Sequence, residues 1–437
     1  LKDRGNGEVG GKFGIREWAQ FIKSLIARWH KLPNYQITQL PNFPAPPVFC
    51  VAKVLNSEEI IMQFGLSESQ QILKDTAHKF FAGEIPIAAV RKTMETETAY
   101  DAALWTRLAE QGFTGIITPE EYGGMGLGKV ELVLLMEEAG YALLPGPFFS
   151  TVALAGAVIE ACASPEQKKN YLGRIAAGQA RSTVAFVEAA GSWDSASLQI
   201  TSAGNKLTGT KLFVTDAAIA DFIIVAARDG IFAVDAKAAG LRIEPMKGMD
   251  LARKIYSVEF RNTPTERLGN SSGLATALNV ATVALCAEMV GGMQRALELT
   301  VAYAKTRKQF GKPIGIFQAV QHLCADMYLE TESSRSATYY AAWALEENTP
   351  DAATSVSVAK MYASDAARNV GNRGIQVHGG MGFTWENDLH LYYRRAKASE
   401  TMLGDATFHR ERIAQIVIDG AESRKKRQPE QAALASR

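Results

Sequence analysis

Cysteine, long apolar runs and surplus charge are all scarce in this sequence, and each scarcity excludes something. The four cysteines, Cys50, Cys162, Cys286 and Cys324, show no C-x-x-C spacing, and three of them stand in apolar helical text. A buried thiol is the ordinary state for such residues, no metal site is expected, and the usage fits a reducing cytoplasm. No stretch of about 18 uninterrupted apolar residues occurs, so no membrane span is expected. A formal net charge of +1 leaves no basic excess to neutralise phosphates, which excludes nucleic acid as a natural partner. What remains is an ordinary globular composition, 47% hydrophobic and 21% charged over 437 residues, enough for two or three domains.

The first 61 residues start at Leu1, hold Pro33, Pro41, Pro44, Pro46 and Pro47, and lack the apolar core and cleavage site of a secretory signal. They are expected to be a non-native or poorly ordered extension, with Met62 opening the organised chain and Ser67 capping a first helix. From 62 to 180 the text is helical. Ile72, Leu73, Ala77, Phe80 and Phe81 recur at helical spacing, and a glycine-rich break from Gly123 to Gly128 precedes another helix over Val130–Leu144.

Between 181 and 270 the period changes. Short β-prone runs, Phe186-Val187, Leu198–Ile200, Lys206–Thr208, Leu212–Val214 and Phe222–Ala226, alternate with turns at Gly204-Asn205, Gly209-Thr210 and Arg228–Gly230. From 271 to 424 the chain is Ala-rich and helical in long segments suited to a bundle, and 425–437 reads as a charged, disordered tail. The class is α+β, mainly α: a helical domain, a small middle β-domain and a C-terminal four-helix bundle.

Two segments carry the chemistry. Arg307-Lys308-Gln309-Phe310-Gly311 presents a guanidinium, a fork of donors suited to a diphosphate, beside an aromatic ring. Gln376-Val377-His378-Gly379-Gly380 offers backbone without Cβ, which lets a phosphate or an adenine ring come close. Together with the order of domains, these strings resemble the acyl-CoA dehydrogenase family. The resemblance implies FAD as cofactor, with Arg307 on the pyrophosphate, Gln309 and Phe310 in contact from a neighbouring subunit, Gln318 as a further cofactor contact, and Gln376, Gly379 and Gly380 as a second dinucleotide contact. His378 is expected to be a structural part of its loop. In the β-domain, Gly209-Thr210-Lys211 and Phe213–Ala217 follow the family, which would place Phe213 or Thr215 beside the flavin ring. Ser192 and Tyr122 are the implied substrate contacts, although Val187, Ala189 and Trp193 depart from the family's text in the strand around Ser192.

The implied reaction removes the α-proton of an acyl-CoA with a carboxylate while the β-hydrogen leaves as hydride to flavin N5, and electron-transfer flavoprotein takes the electrons. Many members carry the base as Glu in a Tyr-Glu-Gly-Thr segment, and Arg394–Glu411 stands there without it. Leu403-Gly404-Asp405 resembles instead a bacterial branch that includes enzymes of cyclic or steroid side-chain thioesters. Asp405 is the candidate base, with helix capping as its competing role, and Glu288 is a weaker alternative. Two functions follow: a dehydrogenase, as a homodimer or tetramer, or a catalytically silent subunit that binds flavin or substrate in a hetero-oligomer with a related chain.

Overall fold

The computed structural model describes residues 65–269 and 271–418; the expectations for 1–61 and for the 425–437 tail lie outside them. The first described helix, α1 (Glu68–Glu84), begins where the hydroxyl of Ser67 accepts the N–H of Gln70 and the Gln70 side chain bonds back, a reciprocal cap. Then come α2 (Ile87–Met94), α3 (Ala102–Glu110), capped by Asp101, and α4 (Lys129–Tyr141). Glu346, at the end of a later helix, accepts the N–H groups of Lys129 and Val130, so a distant carboxylate caps α4. A π-helical turn, Phe149–Ala155, runs into α5 (Gly156–Cys162), and Ser164 with Pro165 starts α6 (Pro165–Ala176).

The middle segment forms two small sheets. One has the order β1 (Ser182–Ala185), β3 (Phe222–Ala227), β4 (Gly230–Asp235), β7 (Glu266–Gly269), and the other β2 (Lys206–Thr215), β6 (Ile255–Pro264), β5 (Leu241–Met246). Leu207, Val214, Ile223, Val225, Phe232, Val258 and Phe260 bury one another in a shared core.

Three sequence expectations change here. Phe186-Val187 lies past the end of β1, its carbonyl oxygens taken by the Lys211 ammonium and the Leu212 N–H. Leu198–Ile200 is not a strand, because the carboxylate of Glu188 takes the N–H groups of Gln199 and Ile200 in place of a ladder partner. Nor is Gly209-Thr210 a turn: it lies inside β2, where a Cβ on Gly209 would stand 2.6 Å from the Ile200 side chain. Glycine is needed there for close approach. A bulge between Lys211 and Val214 puts Phe213 at φ 56° and turns its ring out of the sheet, 48% exposed.

The remainder is helical: α7 (Leu274–Thr306), a short hairpin of β8 (Lys308–Gln309) and β9 (Lys312–Pro313), α8 (Gln318–Glu346), α9 (Ala352–His378), α10 (Leu389–Thr401), and α11 over 406–418. α7 is long and apolar enough to cross a membrane, yet 78% of its most apolar window is buried inside the protein, the state of a core helix. It crosses α4 so closely that a Cβ on Gly291 would lie 1.8 Å from the Glu137 carbonyl oxygen.

Candidate flavin and thioester site

The bulge that turns Phe213 outward opens a cavity of about 380 Å³ between the β-segment and the bundle. Its apolar lining comes from Val187, Trp193, Phe213, Ile255 and Met402, and its polar lining from Lys247, Asp250, Arg253, Lys397 and Thr401. An open, mostly apolar slot with a few convergent donors suits a flat heterocycle or a thioester. Trp193 stacks on Phe186 with ring centroids 5.3 Å apart, so the residue that interrupts the expected strand text builds a wall of the cavity. Thr215 lies behind Phe213, buried, its hydroxyl 3.4 Å from that of Thr183. Ser192 sits between two lining residues and accepts the N–H of Asp194 at 3.0 Å. Tyr122 is not among the lining residues; it ends a 3-10 turn after Pro119.

The two segments expected to hold the flavin meet elsewhere. Tyr303, near the end of α7, stacks on His378 at 4.3 Å, which brings the exits of α7 and α9 together. His378 is buried and its Nδ1 lies 2.8 Å from the Gly374 carbonyl oxygen, so it braces the loop. Arg307, Gln309, Gln318, Gln376, Gly379 and Gly380 are exposed, and Phe310, at the hairpin tip, is 91% exposed. Among the described residues the Arg307 guanidinium has no hydrogen-bond or ion-pair partner, and no atom lies within 4 Å of a Cβ built on Gly379 or Gly380. A free fork of donors, bare backbone and an uncovered ring are what a dinucleotide and an apposed chain require.

The candidate bases have other engagements. Asp405 is exposed, is not among the cavity's lining residues, and accepts the N–H of Phe408 at 2.8 Å as the N-cap of α11. Glu288 is 2% exposed and is held by Arg253 and by Arg395, the latter at 3.0 Å. Burial alone would push its carboxyl up, but the two guanidiniums hold it below the ordinary carboxylate range. Asp250 pairs with Arg395, and Arg253 also lies over the ring of Phe149 at 5.0 Å. This buried cluster closes the inner end of the cavity through Asp250 and Arg253. No sequence signal pointed to it, since Asp250 and Arg395 are 145 residues apart.

Models of the acyl-CoA dehydrogenase N-terminal and C-terminal domains match residues 67–179 and 273–418. The chain belongs to the acyl-CoA dehydrogenase family. Over 340 residues it is 33% identical to acyl-CoA dehydrogenase IpdE2 of Mycolicibacterium smegmatis, covering 78% of this chain and 96% of the relative. It is 29% identical to acyl-CoA dehydrogenase FadE27 of Mycobacterium tuberculosis, covering 75% and 91%. Among solved structures, the ChsE4-ChsE5 complex from Mycobacterium tuberculosis superposes with a TM-score of 0.76 at 28% identity, covering 82% of this chain and 99% of that one. A steroid ACAD variant gives 0.75 at 32% identity, covering 81% and 99%. As an acyl-CoA dehydrogenase the chain is a flavoprotein oxidoreductase with FAD as its cofactor, and the cavity and the exposed segments fit that group.

Proposed function

We propose that this acyl-CoA dehydrogenase works in a mixed oligomer, giving flavin and thioester contacts to an α,β-desaturation for which a related chain supplies the carboxylate. The observation that carries this reading is the state of the acids around the cavity. Among the described residues Asp250 is the only acidic lining residue, and it is ion-paired with Arg395. A base must be free to take a proton and must have a pKa near the operating range. Glu288 is held low by two arginines, and Asp405 faces away as a helix cap.

Bound FAD would supply the acceptor for the hydride that leaves the β-carbon. Arg307 would hold its diphosphate, with Gln309, Phe310, Gln318, Gln376, Gly379 and Gly380 completing a contact across an interface between chains. Phe213 and Thr215 would flank the ring, and Ser192 with Trp193 would face the thioester. The apolar walls would keep water from the reacting carbons once flavin and thioester fill the slot, and Lys247 places a positive charge at the cavity. We place the assembly in the cytoplasm with electron-transfer flavoprotein as electron acceptor. A ring-bearing or steroid side-chain thioester is the proposed substrate class, supported by the likeness to a steroid ACAD.

The experiment is stopped-flow flavin reduction in the co-purified assembly. Asp405→Asn is expected to leave the rate within about twofold, whereas loss of a general base costs about 100-fold or more. A loss of that size would mean that this chain carries its own base and acts as a self-sufficient dehydrogenase, the second reading.

A further inference from the structure

The cavity's bundle-side wall is the end of α10, where Thr401 and Met402 line it. The last carbonyls of a helix need donors, yet Met402, which follows Thr401, makes no capping N–H bond. The donors come from other helices. Lys360, on α9 and fully buried, reaches across with its ammonium to the carbonyl oxygens of Ser399 at 3.1 Å, Glu400 at 2.9 Å and Gly404 at 2.9 Å, and to the Ser364 hydroxyl at 3.0 Å. The ring of His409, on α11, brings Nε2 to 3.0 Å from the Leu403 carbonyl oxygen. Between these anchors the chain turns through left-handed conformations, φ 60° at Leu403 and φ 94° at Gly404. A Cβ on Gly404 would meet the Phe408 ring at 2.2 Å.

We infer that Lys360 is a positioning residue: by binding three carbonyls of the 399–404 turn it fixes the bundle-side wall of the cavity, and so controls how tightly the cavity holds its flavin. A cation at a helix C-terminus also meets the negative end of the helix dipole. No apolar side chain could replace it without leaving three buried acceptors unpaired. Cys286 on α7, Glu400 on α10, and Asp405 and His409 at the start of α11 are the titratable groups that face it. Burial pushes Lys360 down to about 8 and His409 down to about 4, which leaves the lysine mostly charged and the histidine neutral near pH 7. The role in flavin retention rests on the reading of this cavity as the flavin site; the clamp itself does not.

The test compares Lys360→Met and Lys360→Arg with the wild type in the co-purified, FAD-loaded assembly. It follows amide exchange of residues 399–408 and the rate of FAD release, read by flavin fluorescence. Lys360→Met is expected to speed exchange in that segment about tenfold or more, the effect of losing a charge-assisted hydrogen bond, and to speed FAD release, with Lys360→Arg restoring both. Unchanged exchange in Lys360→Met overturns the clamp. Faster exchange with unchanged FAD release keeps the clamp and overturns the assignment of the cavity to flavin.

If Lys360→Met does not fold, Lys360→Gln carries the test: its amide keeps a polar group in the core but offers two N–H donors to three carbonyls. Exchange of residues 399–408 is expected to run faster than in the wild type while that of α8 does not change. Exchange in the turn that matches the wild type overturns the clamp.

Discussion

At the scale of single residues, burial sets the state of the charged groups behind the cavity. Asp216 shows this most plainly. It lies fully buried beside Phe213 and Thr215, accepts the Ser150 hydroxyl at 2.7 Å, and keeps its second oxygen unpaired. Burial pushes its carboxyl up to about 6 from an ordinary 3.8, even with Arg253 and Arg395 nearby. A raised acid binds its proton more tightly in the folded state, so its contribution is complete below 3.8 and is lost as the pH passes through about 6. Unfolding free energies of the wild type and Asp216→Asn should therefore diverge between pH 4 and pH 7, the wild type losing up to about 3 kcal/mol relative to the variant. Parallel pH curves for the two proteins would contradict this. For Asp405, replacement by Ala should cost about 1 kcal/mol in a denaturant melt and replacement by Asn much less, as for any N-cap.

At the scale of elements, much of the fold was legible because local signals and tertiary needs agree. Ser67 caps α1, the apolar period of the Ala-rich text gives the long bundle helices, and the β-prone runs at Lys206–Val214 and Phe222–Ala226 fall in strands. Where sequence reasoning failed, a distant group had intervened. Glu188 removes Leu198–Ile200 from any sheet, and Ile200 requires the glycine at 209 that reads locally as a turn. The same logic assigns the two adjacent glycines of α7 different roles. A Cβ on Gly291 would strike the Glu137 carbonyl, whereas one on Gly292 meets nothing closer than 3.9 Å. Gly291→Ala should therefore destabilise the protein by about 1–3 kcal/mol through overpacking. Gly292→Ala should be neutral or slightly stabilising, from its better helix propensity. Equal melting temperatures for the two variants would show that α4 and α7 are not in this close register.

At the scale of the whole molecule, the two segments proposed to hold the flavin stand out in the sequence because each is a contiguous string whose chemistry is local. The cavity does not, since its walls come from Val187, Phe213, Arg253, Lys397 and Met402, brought together only by folding. The ion cluster behind it joins residues from the β5–β6 connection, α7 and α10, a set that no spacing rule would assemble. These charges occupy Asp250 and Glu288 at the inner end of the cavity, while Arg307 and Phe310 are exposed on the surface. In the proposed assembly, flavin binding and proton abstraction therefore fall to different chains. The most direct measurement purifies this chain alone and with a related chain that carries the Glu, then records flavin content and bleaching by ring-bearing and straight-chain acyl-CoA thioesters. The predicted result is bleaching and turnover only in the mixed assembly. Full bleaching and turnover by this chain alone would contradict it.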